Sequence, residues 1–217
     1  MAPERNGNVF SIMIDPRGFM RRFSSTWRSS TWVVAWLLGF VTLLGKAFAF
    51  SLGLKYQVGW IFLFALVFGI PVGYIAIYIN AVFLFWTGKI FRGQATFQQV
   101  VDAFTWTRVV EVFPLLSWLG LMAMFKKMVF TPEFVDSEQY SMVMFGFIGL
   151  QTIFDLWQAL ILFHALGEVQ KLSAWITIWN VLFAAVLLLI VDGGVNWLFS
   201  SKVVMGSLNV MSSFFYR

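Results

Sequence analysis

The chain has 217 residues, of which 60% are hydrophobic, 19% aromatic and only 12% charged, with a formal net charge of +5 and a mean hydropathy of +0.82. Soluble domains carry about 25% charged residues, so this composition leaves room for one compact membrane domain and for no sizeable water-soluble one. Cysteine is absent, which excludes disulfides and thiolate metal sites and fits a bacterial inner membrane.

Residues 1–31 are expected to form a cytoplasmic N-terminal segment. They hold no apolar core followed by a small-residue cleavage site, so the first span is expected to act as an uncleaved signal-anchor. Asp15-Pro16 reads as a helix N-cap followed by proline at the first helical position. Beyond it Met20, Phe23 and Trp27 share one face, and Arg17, Arg21, Ser24 and Arg28 another. Such a basic amphipathic helix lies on anionic lipid, with Arg17, Arg21 and Arg28 as the headgroup contacts. The alternative is a flank that only sets topology.

Five apolar runs are long enough, or nearly so, to cross a ~30 Å hydrocarbon core. They cover about 32–54, 59–87, 110–125, 142–167 and 174–192. Span one carries a stripe of Gly39, Thr42, Lys46 and Gly53. Span two places Gly69, Gly73, Ala76 and Asn80 on one face, with Pro71 inside a GxxxG motif. Small residues let helix backbones approach, and Pro71 is expected to kink the span. This packing is read as internal to the chain ahead of a dimer interface. Between spans two and three, Thr96 and Gln99 make a capping box, and Phe97, Val100, Val101 and Phe104 form the buried stripe of a surface helix. At the entrance of the short third span, which holds Pro114, Arg108 and Glu111 are three apart and pair at the interface. Span five shows Ser173, Thr177 and Asn180 on one face. After residue 192, Trp197, Val204, Leu208, Met211 and Phe215 oppose Lys202, Gly206, Asn209 and Ser213, which reads as an amphipathic helix on the outer face, or else a sixth span.

The sequence therefore predicts an all-α membrane protein. It has five transmembrane helices over 32–192, plus amphipathic interfacial helices at the N-terminus, between spans two and three, and at the C-terminus over 193–217. Nine basic residues precede the first span or fall in the links on its side of the membrane, against five on the other side. The positive-inside bias puts the N-terminus in the cytoplasm and the C-terminus outside a cell membrane. The basic charge is mainly topology, and it does not gather on a soluble domain as nucleic-acid binding requires.

Within the spans, Asp155 stands out. Gln151 and Gln158 lie four residues before it and three after, on the same helical face. A charge at mid-bilayer costs roughly 2.5–3.5 kcal/mol even on permissive scales, so it needs a partner. At 1.5 Å per residue, Lys46 and Gln151 fall roughly 4–5 Å outside the midplane, and Gln158 and Asn180 roughly 5 Å to the cytoplasmic side. The expectation is one buried cluster, Lys46 pairing with Asp155 and Gln158 meeting Asn180. It acts as glue between helices or as part of a substrate or proton path.

Enzyme readings find little support. The one histidine, His164, points away from the Asp155 face and reads as an interfacial filler. HExxH, GxSxG, P-loop and GxGxxG motifs are all missing, and no metal site or cofactor is expected. Asp192 ends span five roughly 10 Å or more from the level of Asp155, too far for an aspartyl dyad. Lys126 and Lys127 with Glu133, Asp136 and Glu138 read as a solvated loop.

Several ordered pieces resemble a known family. They are Ile14-Asp15-Pro16 leading into Phe19, the glycine-bounded link from Gly88 to Phe97, Phe104-Thr105-Trp106 followed by Pro114, Trp157, and the turn from Leu166 to Trp175. Residues from about 10 to 192 resemble the bacterial Yip-domain membrane family, distant relatives of the eukaryotic Rab-GTPase-interacting proteins. The resemblance implies a five-helix integral membrane protein with no catalytic site. It also implies an accessory role, beside an ABC exporter, in membrane organisation or in peptide resistance. The short basic N-terminal segment does not carry Rab binding over. Two functions stay open. One is a non-enzymatic interaction protein whose partner is a membrane protein, such as an ABC transporter or a second copy. The other is a small transporter or permease subunit using the Asp155 cluster.

Overall fold

The computed structural model describes residues 9–22, 31–136 and 138–191. The expected C-terminal helix, Asp192, Phe23, Trp27 and Arg28 lie outside them. Among the described residues, five helical stretches are long and apolar enough to cross a membrane: Thr31–Ala49, Val58–Ile90, Phe97–Phe130, Tyr140–Gln170 and Ala174–Val191. No strand occurs among the described residues. The protein is an all-α, multi-pass membrane protein.

A short 3-10 turn, Val9–Met13, precedes α1, Pro16–Arg22. Asp15 caps α1 as expected, its Oδ1 accepting from the Gly18 N–H at 2.9 Å. α1 is anchored from below, with Phe19 buried against the ring of Trp106 at 6.0 Å. α2 is Thr31–Ala49, and α3 is the 33-residue Val58–Ile90. Span one thus ends five residues earlier than expected, because Ser51 turns into the left-handed region and a 3-10 turn over Leu52–Leu54 follows.

α2 and α3 pack backbone to backbone. A Cβ on Gly39 would stand 1.9 Å from the Gly69 carbonyl oxygen, and one on Gly73 would stand 1.7 Å from that of Ala35. The GxxxG pair therefore packs inside the chain. α3 runs through Pro71 without a break. The proline withholds the N–H that the Val67 carbonyl would accept. One residue earlier, the Leu66 carbonyl accepts Trp36 Nε1–H from α2 at 3.1 Å.

The third span differs from the sequence reading. α4, Phe97–Thr107, opens on the expected Thr96/Gln99 capping box. It is enclosed on more than one face, since Val100, Val101 and every residue from Ala103 to Thr107 are buried. It passes through a 3-10 segment, Arg108–Glu111, into α5, Val112–Phe125. Pro114 supplies the reason for the tightening: it offers no N–H to the Val110 carbonyl, while its own place in the first turn of α5 is tolerated. A 3-10 turn over Lys126–Phe130 and the short α6, Pro132–Asp136, lead to α7, Glu138–Gln170, and then to α8, Ala174–Val191.

Among the described residues, four that are not glycine have a left-handed φ: Ser51, Arg92, Lys126 and Lys171. Each closes a helix where glycine would cost least. Three of the four are basic, so these positions accept backbone strain and keep a cation beside a helix C-terminus at a span boundary.

The core has three parts. Phe40, Leu44, Ile61, Trp118, Phe130 and Met144 fill one end of the bundle. At the other, Leu38, Ile77, Leu84, Phe104, Leu162 and Ala184 join five helices. Ile12, Phe19, Val34, Trp106 and Ile161 seat the N-terminal segment. Gly73→Ala is expected to destabilise the protein by about 1–3 kcal/mol or more through overpacking against α2. Gly45→Ala, with nothing within 4 Å of its would-be Cβ, is expected to be neutral or up to about 1 kcal/mol stabilising. Detergent-solubilised unfolding of the two variants checks the contrast.

Candidate functional site

The polar side chains fall into two clusters rather than one. The first gathers at the break in the third span. Arg108 Nη1 donates to Glu111 Oε1 at 3.3 Å and to Gln158 Oε1 at 2.8 Å, and Gln158 Nε2 donates to the same Glu111 oxygen at 3.2 Å. The Arg108 guanidinium lies over the Phe104 ring at 4.3 Å. Glu111 and Gln158 are each 7% exposed. The Arg108–Glu111 pair is thus present, but it sits buried where the 3-10 segment meets α7, and Gln158 completes it. The geometry cross-links two spans and satisfies the carboxylate twice.

The second cluster locks the ends of α3, α7 and α8. Asn180 Nδ2 donates to Gln170 Oε1 at 2.7 Å, and Thr87 Oγ1 donates to Asn180 Oδ1. Gln170 Nε2 donates to the Leu84 carbonyl at 3.2 Å, while the Gln170 carbonyl accepts the Gln94 N–H at 3.0 Å. All three side chains are fully buried. Gly88 makes room for them, since a Cβ there would stand 2.5 Å from Gln170 Nε2. The Gly88–Phe97 link and the Leu166–Trp175 turn, far apart in sequence, therefore meet through Gln170. At the surface of the same end, Arg21 Nη2 donates to Glu168 Oε2 at 3.0 Å and Lys171 Nζ to Glu168 Oε1 at 2.9 Å. The Glu168 carboxylate holds the Arg21 guanidinium above its usual range.

The expected pairings are corrected at two points. Gln158 does not meet Asn180, because each finds a nearer partner: Arg108 and Glu111 for one, Thr87 and Gln170 for the other. Lys46 forms no ion pair with Asp155, and both are exposed. Lys46 lies three residues before the end of α2, where its long side chain can reach the polar boundary. Asp155 feels the charge of Arg108 but makes neither a hydrogen bond nor an ion pair among the described residues. Gln151 Nε2 is buried without a hydrogen-bond partner. Of the expected headgroup contacts, Arg17 is exposed and Arg21 is held by Glu168. His164 Nδ1 lies 2.7 Å from the Leu160 carbonyl of its own helix.

Sequence reasoning missed Gln170, Thr87 and Glu168. The signal was the glycine pair Gly88 and Gly93, which marks a place where something must pass close to the backbone. Asn180→Leu is expected to lower stability by about 1–3 kcal/mol, since it leaves the buried Gln170 Oε1 without its donor. Thermal unfolding in detergent, compared with the exposed control Trp179→Leu, reads that loss.

No curated protein and no solved structure matches the chain. The Yip1 domain model matches residues 10–194, from the turn before α1 to just past α8, so every side chain of both clusters falls within it, and the chain belongs to the Yip1 domain family.

Proposed function

We propose that this protein is a non-enzymatic interaction protein of a bacterial cytoplasmic membrane, with its N-terminus in the cytoplasm and its C-terminus outside. In this reading it is an accessory to a membrane protein complex such as an exporter. The observation that carries the reading is where the polar groups go. Glu111, Gln158, Gln170 and Asn180 are consumed by contacts between helices, which stiffens a scaffold rather than lining a path. The hydroxyls of Thr152 and Thr177 and the amide of Asn80 turn back to carbonyls of their own helices. Arg17, Lys89, Arg92 and Lys171, exposed at one end, supply a basic rim suited to anionic headgroups.

A second reading, a small transporter subunit, rests on Asp155 and Gln151, two polar side chains of α7 that these contacts leave over among the described residues. Purification from its own membranes in mild detergent is expected to recover a stoichiometric membrane-protein partner, and recovery of the bare chain alone would count against the accessory reading. Asp155→Asn tests the alternative: at unchanged abundance, an unaltered cellular phenotype rules out a transport path through this carboxylate.

A further inference from the structure

The glycines of this chain divide sharply. Gly39, Gly69, Gly73, Gly88 and Gly93 sit against backbone or side chains of other elements, whereas nothing approaches within 4 Å of a would-be Cβ at Gly45, Gly59 or Gly120, or at Gly146 and Gly149 on α7. Gly149, Thr152, Asp155, Leu156 and Ala159 fall on neighbouring positions of one side of that helix. The first four are exposed. Asp155 is 15 residues from either Tyr140 or Gln170, the two ends of its span. At 1.5 Å per residue it is about 22 Å from each, deep in the hydrocarbon layer. Its side chain is too short to reach the polar boundary. Arg108 acts on it only through space: its Nη1 donates to Glu111 and Gln158, its face lies over Phe104, and its buried Nε finds no partner among the described residues. Lys46 is near the far end of α2 and unpaired with it. An intramembrane carboxylate without a directly paired counter-charge is costly, and here it stands on an exposed face with Thr152 and Leu156, where open space at Gly149 lets another helix approach.

We infer that this face of α7 docks a transmembrane helix of another protein that brings one lysine or arginine to the level of Asp155. The opposite charge sets register and partner choice, and the open space at Gly149 admits a side chain of the partner helix beside Leu156. A lipid acyl chain could cover the face but could not satisfy the carboxylate. The inference deepens the accessory reading by giving the partner's chemistry, and it rests on that reading.

The test uses a defined probe. Labelled full-length protein is reconstituted into phosphatidylcholine vesicles with a labelled leucine-alanine transmembrane peptide carrying one central lysine. Association is read by energy transfer and compared with the same peptide carrying leucine instead. The lysine peptide is expected to associate about fivefold more strongly, in line with interhelical polar contacts in membranes. Asp155→Asn is expected to abolish the difference. Gly149→Leu, which fills open space and leaves the fold intact, is expected to weaken association of the lysine peptide. Reversing both charges, Asp155→Lys with an aspartate-bearing peptide, is expected to restore it. Equal association of both peptides, or a preference that survives Asp155→Asn, overturns the inference. So does energy transfer between copies of the protein that Asp155→Asn removes, because the face would then belong to a second copy. Failure here leaves the purification result untouched, so the inference and the accessory reading fall separately.

Discussion

Lipid offers neither a donor nor an acceptor, so each polar group in these spans must find its partner inside the protein. That constraint explains where the helices begin, where they break and which faces meet. Thr152, Thr177 and Asn80 take the cheapest solution, a carbonyl on their own helix. Glu111, Gln158, Gln170 and Asn180 have more capacity than one carbonyl can use, and they reach across to other helices. Each such contact fixes a rotation as well as a distance. A helix held by Gln170 or Gln158 cannot turn by one residue without burying an unpaired amide.

The glycines supply the other half of the arrangement. Gly39, Gly69 and Gly73 bring α2 and α3 so close that side chains are excluded from the seam. Gly88 and Gly93 do the same around Gln170, where the α3–α4 link wraps the end of α7. The close seam leaves room at its foot for α4, which closes the bundle between α3 and α7 with Val100, Val101 and Phe104 buried. Phe19 then settles on Trp106, and the Arg21–Glu168 pair ties the N-terminal helix to the same end. Close packing thus leads to the buried amide lock, and the lock positions the elements that face the membrane surface.

Much of this was legible from residue order. Apolar runs and their punctuation locate the spans, because hydropathy over about 20 residues is a property of one helix alone. The Asp15 cap and the Thr96/Gln99 box are local, and both appear as the sequence implies. Partners across helices are less legible. A helical wheel gives the face of Gln158 or Asn180 but not which helix that face meets. Equal depth made Gln158 and Asn180 look like a pair, and the packing of α8 along the end of α3 gave Asn180 to Thr87 and Gln170 instead. Gln170 itself looked like part of a polar turn. Only the fold shows that Gly88 leaves a hole of its shape. The extent of the third span was missed for a related reason: Pro114 tightens the chain into a 3-10 segment without ending it.

Asp155 marks the limit of internal satisfaction. Arg108 is close enough to act on it through space, yet Glu111 competes for the same guanidinium and wins by direct contact. Had α7 been rotated to bring Asp155 inward, Gln158 would have turned out of its place between Arg108 and Glu111, since residues three apart, though on one side of a helix, are about 60° apart around it. The fold therefore favours one buried carboxylate with two donors over two carboxylates sharing one arginine. Lys46 can escape its predicament by length and position, a route closed to a short acid at the centre of a 33-residue helix. A carboxylate kept in that position, beside an open Gly149, is a demand that no direct contact among the described residues meets.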